Sequence, residues 1–368
     1  MKLAIGKDQL MAGLQTVQNI VGTRTTLPVL SNVLLRAHDG ILEFKATDMD
    51  VSLACSLPAD IGEDGDLTLP VKRLFGIVRE LPPGDVDLES DEKHVAVVRS
   101  GATLFKIHGL AAEEFPPIQP FVGRTKLSLV SDRLKSMLKK TSFAVSTDET
   151  RFVLNGIYCS LRDQKLTMVA TDGRRLALTD EEVDVSGDAV DMILPIKAIN
   201  ELSRLLQPTG QVEIQVRENQ AAFRILDEKG FEVMLITRLV EGNYPNYRQV
   251  IPSEAKERIR FAREELAQAL RRAQLMTSDK SNSVKLAFSL NNLAITANTP
   301  EIGESRESIA IQYEGKEFAI AFNPTFLLDP LRALEDEEIF LELTDELSPG
   351  VVKIRGPFLY VIMPMRMT

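Results

Sequence analysis

The stretch Leu166–Leu178 reads Leu-Thr-Met-Val-Ala-Thr-Asp-Gly-Arg-Arg-Leu-Ala-Leu. An apolar run typical of a strand ends at Asp172 and Gly173, and apolar residues resume after two arginines. Asp can accept hydrogen bonds from nearby backbone N–H groups and Gly tolerates positive φ, so the pair predicts a tight turn between two strands. Similar strings occur at Phe44–Asp48 and Ile295–Asn298. The chain therefore predicts an internal repeat with a hairpin in each copy.

Two helices are predicted in each copy, one before the hairpin and one after it. Apolar residues with helical spacing predict the first helix and its buried face. These stripes lie at residues 10–21, 134–145 and 266–277. A proline is predicted in the first turn of the second helix, where a missing N–H costs nothing. The three prolines are Pro70, Pro195 and Pro324.

Three further antiparallel strands are predicted after the second helix of each copy. The sequence thus predicts an α+β fold of three tandem repeats, each with two helices and antiparallel sheets. The predicted domains are residues 1–122, 127–248 and 250–368. Short connections between them predict a stiff arrangement of the repeats.

The bulk composition limits the class of protein. A chain of 368 residues exceeds the roughly 100 to 200 residues of one domain. Its 44% hydrophobic and 26% charged residues are typical of a folded globular protein. Cys55 and Cys159 stand in apolar runs without zinc or redox spacing, so both are predicted to be buried and reduced. Neither a signal peptide nor an apolar run of about 18 residues is evident, which makes the cytoplasm the expected compartment.

Residues that could support catalysis are few. The sequence has no glycine-rich phosphate loop, and its three histidines lack the spacing of metal ligands. Asp48 and Asp50 could hold a magnesium ion or act as acid and base. A turn role is favoured, because the position of Asp48 recurs as Asp172 and Asn298. We therefore predict no catalytic residue, no metal and no cofactor, with a metal-dependent nuclease using Asp48, Asp50 and Asp172 as an alternative.

Positive charge is concentrated in the predicted helices. The chain has a net charge of −10, yet its six helical segments together carry more Lys and Arg than Asp and Glu. This distribution favours contact between the helices and a phosphate backbone, with repulsion elsewhere. No recognition-helix motif or aromatic strand face is evident. The pattern predicts sequence-independent contact with duplex DNA, and a scaffold that binds only peptides stays a further alternative.

Five segments also carry a family resemblance. They are Thr26–Asn32, Leu154–Gly156, Ala170–Ala177, Tyr244–Arg248 and Tyr360–Arg366. With the three-fold repeat, they resemble the bacterial sliding clamps, the beta subunits of DNA polymerase III, over the whole chain. The resemblance implies a head-to-tail homodimer whose six similar domains close into a ring around duplex DNA. It also implies a processivity factor that slides without base-specific contact and has no catalysis of its own.

The resemblance and the basic helices together imply two contact surfaces. The predicted DNA contacts are Arg24, Lys72, Arg73, Arg79, Lys139, Arg151, Phe152, Lys197, Arg204 and Arg272. In the implied dimer, Phe105 and Ile107 of one copy meet Leu275 and Met276 of the other. Their apolar character suits an interface core.

The resemblance further implies a pocket between the second and third domains that binds short linear peptides. The implied partners are the replicative polymerase alpha subunit, the clamp loader delta subunit, other polymerases and repair proteins. The matching positions are Leu154, Thr171, Gly173, Arg174, Arg175, Leu176, Pro245, Val250, Asn323, Phe326, Leu347, Val361, Ile362, Met363, Pro364, Met365 and Arg366. Methionines would form an adaptable apolar cleft. Arg174, where the family often has histidine, and Pro324 predict a peptide preference that differs in detail.

Overall fold

The computed structural model describes residues 1–22, 27–278 and 281–366. Its six helices are α1 (Lys7–Val17), α2 (Val71–Glu80), α3 (Ser131–Thr141), α4 (Ile196–Leu205), α5 (Arg263–Gln274) and α6 (Pro324–Ala333). The predicted pair of helices is confirmed in each third of the chain. In the described ranges, no helix is long and apolar enough to cross a membrane.

Antiparallel strands make up most of each repeat. The first repeat contains β1 (Lys2–Gly6), β2 (Asn32–His38), β3 (Ile41–Thr47), β4 (Val51–Pro58), β5 (Asp60–Glu63), β6 (Gly65–Pro70), β7 (Asp85–Ser90), β8 (Val95–Ser100) and β9 (Thr103–His108). The second contains β10 (Thr125–Val130), β11 (Gly156–Arg162), β12 (Lys165–Thr171), β13 (Arg175–Glu182), β14 (Val185–Ser186), β15 (Val190–Pro195), β16 (Gln211–Arg217), β17 (Gln220–Leu226) and β18 (Glu232–Arg238). The third contains β19 (Glu257–Ala262), β20 (Val284–Ser289), β21 (Asn292–Thr299), β22 (Gly303–Ala310), β23 (Phe318–Phe322), β24 (Glu338–Leu343), β25 (Gly350–Lys353) and β26 (Phe358–Ile362).

The first helix of each repeat buries the stripe that the sequence predicts. Leu10 and Leu14 of α1 are buried, as are the equivalent leucines of α3 and α5. A basic residue of the same helix also reaches the C-terminal end of the second helix. Lys135 Nζ donates to the Leu206 carbonyl at 2.9 Å, and Arg263 Nη1 donates to the Leu331 carbonyl at 3.0 Å. These bonds satisfy carbonyls that a helix end leaves unpaired.

Two local predictions are wrong. Pro70 and Pro195 do not lie in a first helical turn, because each ends a strand directly before its helix; only Pro324 begins one. Pro70 has ψ of 104°, an extended conformation that belongs to the strand and not to the helix. Asn298 also lies inside β21, paired with Glu304, so it does not occupy the turn position of Asp48 and Asp172.

The chain forms two compact units. The first comprises Met1–Lys135, Val183–Val190 and Lys197–Leu239, and the second Ser136–Glu182, Asp191–Ile196 and Val240–Thr368. The first unit has sheets in the orders β5-β1-β7-β8-β9 and β14-β10-β16-β17-β18-β4-β3-β2-β6. The second unit has sheets in the orders β15-β11-β12-β13-β26-β25-β24-β19 and β22-β21-β20-β23.

Each large sheet joins strands of two neighbouring repeats. In the first unit β18 pairs with β4, with Leu235 opposite Leu53. In the second unit β26 pairs with β13, with Val361 opposite Leu176. We call the β18–β4 pairing, together with the turn before β4, the first junction. The β26–β13 pairing, together with the turn before β13, is the second junction. The second junction contains much of the predicted peptide pocket.

Candidate functional site

The turn of the second junction is built by its own side chains. Asp172 Oδ1 accepts the backbone N–H groups of Arg174 and Arg175 at 2.9 and 3.1 Å. Thr171 Oγ1 accepts the N–H of Gly173 at 3.1 Å. Gly173 has φ of +85°, a conformation that glycine adopts without strain. The predicted turn is therefore confirmed, and the side-chain hydrogen bonds that form it lie within five consecutive residues.

Arg175 points into the protein and joins three segments of the second unit. Its Nε donates to Asp172 Oδ2 at 3.0 Å, its Nη1 binds the Asp329 carboxylate of α6, and its Nη2 donates to the Phe143 carbonyl at 2.6 Å. The guanidinium carbon lies 4.3 Å from the centre of the Phe326 ring. The side chain is only 10% exposed. Arg175 is thus engaged inside the second unit instead of offering a free charge.

These partners stabilise the charged form of Arg175. Burial opposes the charged form, but the hydrogen bond to Asp329 and the nearby carboxylates outweigh it and raise the pKa of Arg175. Burial also raises the pKa of the Tyr360 hydroxyl, which donates to the Phe326 carbonyl at 2.7 Å. Tyr360 thus binds α6 to β26, and Arg175 binds α6 to β13. Sequence reasoning missed Asp329 and Phe143, because neither belongs to a recognisable motif.

Arg174 and the C-terminal methionines form the exposed rim of the second junction. The Met363 N–H donates to the Arg174 carbonyl at 2.9 Å, and the Met365 N–H donates to the Ala321 carbonyl at 2.7 Å. Met363 and Met365 are 44% and 38% exposed. Arg174 is also exposed. The structure therefore places a cation directly beside a partly open apolar surface.

The other predicted pocket residues divide by burial. The buried members are Leu154, Leu176, Val361 and Ile362. The partly buried members are Thr171, Asn323, Phe326 and Pro364. The exposed members are Pro245, Val250, Leu347 and Arg366. Asn323 caps α6 by accepting the Thr325 N–H at 2.9 Å, so its amide supports the helix.

Leu347 lies on a loop with surroundings of its own. This loop lines a cavity of about 1020 Å³ together with Lys256, Tyr313 and Phe318. By contrast, Leu176 and Val361 belong to an apolar cluster with Val169 and Tyr247. The structure brings the strand residues of the predicted pocket together and sets Leu347 beside a different cavity.

The predicted DNA contacts differ in how freely their charges are offered. Lys72 and Arg73 on α2 are exposed, and neither side chain has a polar partner in the described part of the chain. Arg79 lies on the same helix, and its Nε is 2.9 Å from Glu80 Oε1. Arg24 lies outside the described residues. Among the members that the structure describes, those on α2 thus offer the most available positive charge.

Other members of the set hold carboxylates or carbonyls. Arg272 makes two bonds to Glu307, at 2.9 and 2.6 Å, which lower the pKa of that carboxyl. Lys139 lies 2.8 Å from Glu335. Arg151 lies 3.6 Å from Asp148, and Phe152 beside it is exposed.

Lys197 and Arg204 are engaged within the first unit. Lys197 Nζ binds the Asp48 carboxylate and the Ile20 carbonyl, while Arg204 Nη2 donates to the Thr16 carbonyl at 2.7 Å. These bonds join α4 to the end of α1, where cations stabilise unpaired carbonyls. Asp48 thereby serves the first junction, which supports the turn interpretation over a metal site.

Two of the four predicted dimer residues, Phe105 and Leu275, are exposed, one in each unit. On β9, Phe105 is exposed but Ile107 is only 3% exposed and packs in the core. Leu104, 48% exposed, is a surface residue that sequence reasoning missed. Leu275 is exposed after the end of α5, and Met276 is partly buried beside it.

Two helices and antiparallel strands, repeated three times with strands shared between neighbouring repeats, define the DNA-clamp class of fold. Three family models of the DNA polymerase III beta subunit match the chain: the N-terminal domain at residues 1–119, the central domain at 128–246 and the C-terminal domain at 248–366. The chain belongs to this family, the bacterial sliding clamps. The resemblance predicted from the sequence is confirmed.

Similar proteins cover the chain from end to end. The beta sliding clamp of Chlamydia trachomatis is 36% identical, with 100% of this chain and 87% of that protein covered. The beta sliding clamp of Bacillus subtilis is 33% identical, with 100% of both covered. The crystal structure of DNA polymerase III subunit beta from Pseudomonas aeruginosa has a TM-score of 0.93 at 32% identity, with 100% of both chains covered. A P. aeruginosa sliding clamp bound to griselimycin has a TM-score of 0.94 at 32% identity and the same coverage.

The protein is therefore a processivity clamp of the bacterial replicative DNA polymerase, and it is a non-catalytic subunit. The nuclease alternative is wrong. The peptide pocket is consistent with the ligand-bound structures of related clamps.

Proposed function

We propose that two copies of the chain assemble head to tail into a ring that encircles duplex DNA. The observation that carries this proposal is the pairing between repeats. β18 of the second repeat pairs with β4 of the first, and β26 of the third pairs with β13 of the second. The equivalent strands β9 and β22 lie at sheet edges. Pairing of β9 from one copy with β22 of the other would repeat the same junction, and two copies would supply six repeats.

Apolar side chains accompany both edges. Leu104 and Phe105 are exposed on β9, and Leu275 is exposed in the same repeat as β22. Burying such residues while pairing the strand edges would combine an apolar core with backbone hydrogen bonds. Ile107 would support this surface from below, and Met276 would lie at its border.

The mass of the assembly tests the dimer. Sedimentation should give about twice the chain mass of 40.9 kDa. Phe105→Asp or Leu275→Asp should shift the protein towards monomer, because a charge would be buried in the interface. Leu290→Asp is a matched control, since Leu290 is an exposed leucine in the β20–β21 turn. Wild-type protein at monomer mass, or dimeric Phe105→Asp and Leu275→Asp variants, would contradict the proposed interface.

For DNA, we propose phosphate contact by the basic residues of the helices and their loops. Lys72 and Arg73 can reach phosphate without breaking an existing bond, whereas Arg272 would first have to leave Glu307. Contacts of this kind carry no sequence information, so the ring can slide. The protein would act with its DNA in the cytoplasm.

Topology distinguishes a ring from an ordinary DNA-binding surface. Loaded protein should remain on a closed circular duplex at high salt and should leave after the circle is cut once. Electrostatic contact weakens with salt, but encirclement does not. Retention that is the same before and after cutting would rule out encirclement and favour direct binding.

We also propose that the second junction docks short peptides of the polymerase alpha subunit, the clamp loader delta subunit, other polymerases and repair proteins. The partly exposed methionines beside the buried floor of Leu176 and Val361 support this role. Griselimycin, bound by related clamps, is a suitable probe. Combining Met363→Ala with Met365→Ala should weaken its binding about tenfold, through lost apolar contact, while the sedimentation mass stays unchanged. Unchanged affinity would count against this placement.

A further inference from the structure

The cavity beside Leu347 is formed by two loops and the start of a strand in the third repeat. One loop, residues 311–317, follows β22, and the other, residues 344–349, follows β24. Glu257, the first residue of β19, completes the lining. The volume of about 1020 Å³ is large enough for a long side chain of another molecule.

Two aromatic rings line this cavity. The ring centres of Tyr313 and Phe318 are 6.4 Å apart, and Phe318 stacks on Phe288 at 5.0 Å. The Tyr313 hydroxyl donates to the Lys316 carbonyl at 2.6 Å, which fixes the ring to its own loop. Rings held in this way can attract a cation to their faces.

An unpaired carboxylate lies beside the Tyr313 ring. Glu257 Oε1 and the Tyr313 hydroxyl oxygen each lie 2.6 Å from the position that a Cβ on Gly315 would occupy, so the glycine leaves room for both. Glu257 is partly buried, and its carboxylate forms no ion pair within residues 1–22, 27–278 and 281–366. Burial and then the nearby Glu257 charge raise the pKa of the Tyr313 hydroxyl. A partly buried charge of this kind favours a cationic ligand.

The rest of the lining is also acidic. Five carboxylates and two lysines line the cavity, which gives it a net charge of −3. The carboxylates are those of Glu257, Glu314, Glu317, Asp345 and Glu346. Among the described residues, no group of three or more His, Cys, Asp or Glu side chains could hold a metal ion. The complementary ligand is therefore an organic cation.

The second unit already places two of its own arginines between a ring and a carboxylate. The guanidinium carbon of Arg258 lies 4.3 Å from the centre of the Phe340 ring, and its Nε lies 3.6 Å from Glu342. Arg175 has the same kind of surroundings. A planar guanidinium can stack on a ring and bond a carboxylate at once, which an ammonium group cannot do. No arginine of the described residues lines the cavity, although a ring and a carboxylate are present there.

We propose that this cavity binds an arginine side chain of a partner protein, with its guanidinium beside Glu257 and against the Tyr313 and Phe318 rings. The acidic lining would attract a basic segment and repel an acidic one. Leu347, which is 84% exposed, would contact the aliphatic stem of the arginine. The site uses neither Arg174 nor Met363, so it does not depend on docking at the second junction.

The test uses the smallest ligand that carries the proposed group. N-acetyl-arginine N-methylamide is compared with its citrulline twin, which has nearly the same shape and no charge. Binding to the full-length protein is followed by NMR through the methyl signals of Leu347, which lines the cavity. The arginine compound should bind with a Kd of about 1 mM, about fivefold more tightly than the citrulline compound, and the ratio should shrink with salt.

Variants assign this preference to one carboxylate. Glu257→Gln should abolish the preference, because it removes the charge and keeps the shape. Glu228→Gln, which removes the same charge from the exposed turn between β17 and β18, should leave the preference intact. Absence of a saturable shift, equal binding of the two compounds, or a preference that survives Glu257→Gln would overturn the inference. So would displacement of the arginine compound by griselimycin, because the ligand would then lie in the second junction.

Discussion

The first and second junctions have the same turn, and they differ in the side chains on it. In the first, Asp48 Oδ1 accepts the N–H groups of Asp50 and Val51 at 3.1 and 2.8 Å, as Asp172 Oδ1 does for Arg174 and Arg175. Thr47 Oγ1 accepts the Met49 N–H at 3.1 Å. The backbone bonds and the Thr-Asp pair that accepts them are thus the same in both turns, whereas the two residues after the Asp differ.

The differences concern charge and apolar surface. Asp50 stands where the second junction has Arg174, and Arg238 stands where it has Met363. In the first junction, Lys197 of α4 forms the ion pair with the turn aspartate and is 39% exposed. In the second junction, the buried Arg175 forms the ion pairs. The comparison shows that one backbone can serve a plain connection or a docking surface. The side chains beyond the turn make the difference.

The largest expected effect comes from breaking the ion pairs. Asp329→Ala leaves the guanidinium of Arg175 with one carboxylate in a buried site, so we expect a loss of about 3 kcal/mol in unfolding free energy. Lys197→Met should cost about 1 kcal/mol or less, because that ion pair is partly exposed. Thermal melting measures the loss of stability in each variant. Hydrogen exchange of the β13 and β4 amides shows which junction has lost stability.

A matched control for this pair is Arg332→Ala. Arg332 lies 3.7 Å from the same Asp329 carboxylate but is about half exposed. It should cost less than about 0.5 kcal/mol. Equal losses from Asp329→Ala and Lys197→Met would show that burial does not separate the two junctions.

The second prediction concerns a variant that carries the arginine of the first junction at the equivalent position of the second. Met363→Arg removes apolar surface and places a second cation beside Arg174, so griselimycin affinity should fall about tenfold. The reverse change, Arg238→Met, should not create griselimycin binding at the first junction, because Asp50 remains there. Calorimetric titration of the two variants measures both outcomes. Binding that survives Met363→Arg would mean that this methionine is not part of the docking surface.

The third prediction concerns the left-handed residue of each turn. Gly173 has φ of +85° and Met49 has φ of +80°. Gly173→Ala should cost about 1 kcal/mol, because an L side chain is strained in that conformation. Met49→Gly should change stability by less than about 0.5 kcal/mol, since relief of strain and greater freedom of the unfolded chain offset each other. Chemical denaturation distinguishes them, and a larger loss from Met49→Gly would contradict the equivalence.

The smallest effect is expected in thiol reactivity. Burial raises the pKa of Cys55 on β4 to about 12, and burial raises the pKa of Cys159 on β11 further. Little thiolate should exist at pH 8, so a disulfide reagent should label either cysteine only when its sheet opens. Asp329→Ala should accelerate labelling of Cys159 and not of Cys55. Equal acceleration at both cysteines would argue that the two sheets open together.

Much of the fold could be predicted because its signals are local. Helical stripes, alternating strands and the Asp-centred turn depend on residues within a few positions of one another. The same local reasoning was wrong at Asn298, which resembles Asp172 in sequence but pairs with Glu304 inside a strand. In the third repeat the strand continues past this asparagine, so the turn comes only after the strand has ended. Similar residues therefore did not guarantee a similar turn.

The candidate site was predicted less completely. Exposed residues such as Arg174 and Met363 were assigned to the site through the family resemblance, and the contact of Arg175 with Asp329 was not predicted. Arg175 and Asp329 are separated by 154 positions, so no spacing rule links them. Leu104 was missed for a different reason: on an edge strand, burial depends on which face of the sheet is covered.

By itself, the sequence determined the repeat, the order of helices and strands, the two Asp-centred turns and the apolar residues that form the cores. These follow from propensities and periodicities that each segment carries alone. Only the tertiary structure decided that strands of neighbouring repeats share sheets, that Arg175 is engaged inside and that Arg174 is exposed. The physical reason is that a side chain's charge is neutralised by whatever lies near it in space, and for Arg175 that neighbour comes from a distant part of the chain.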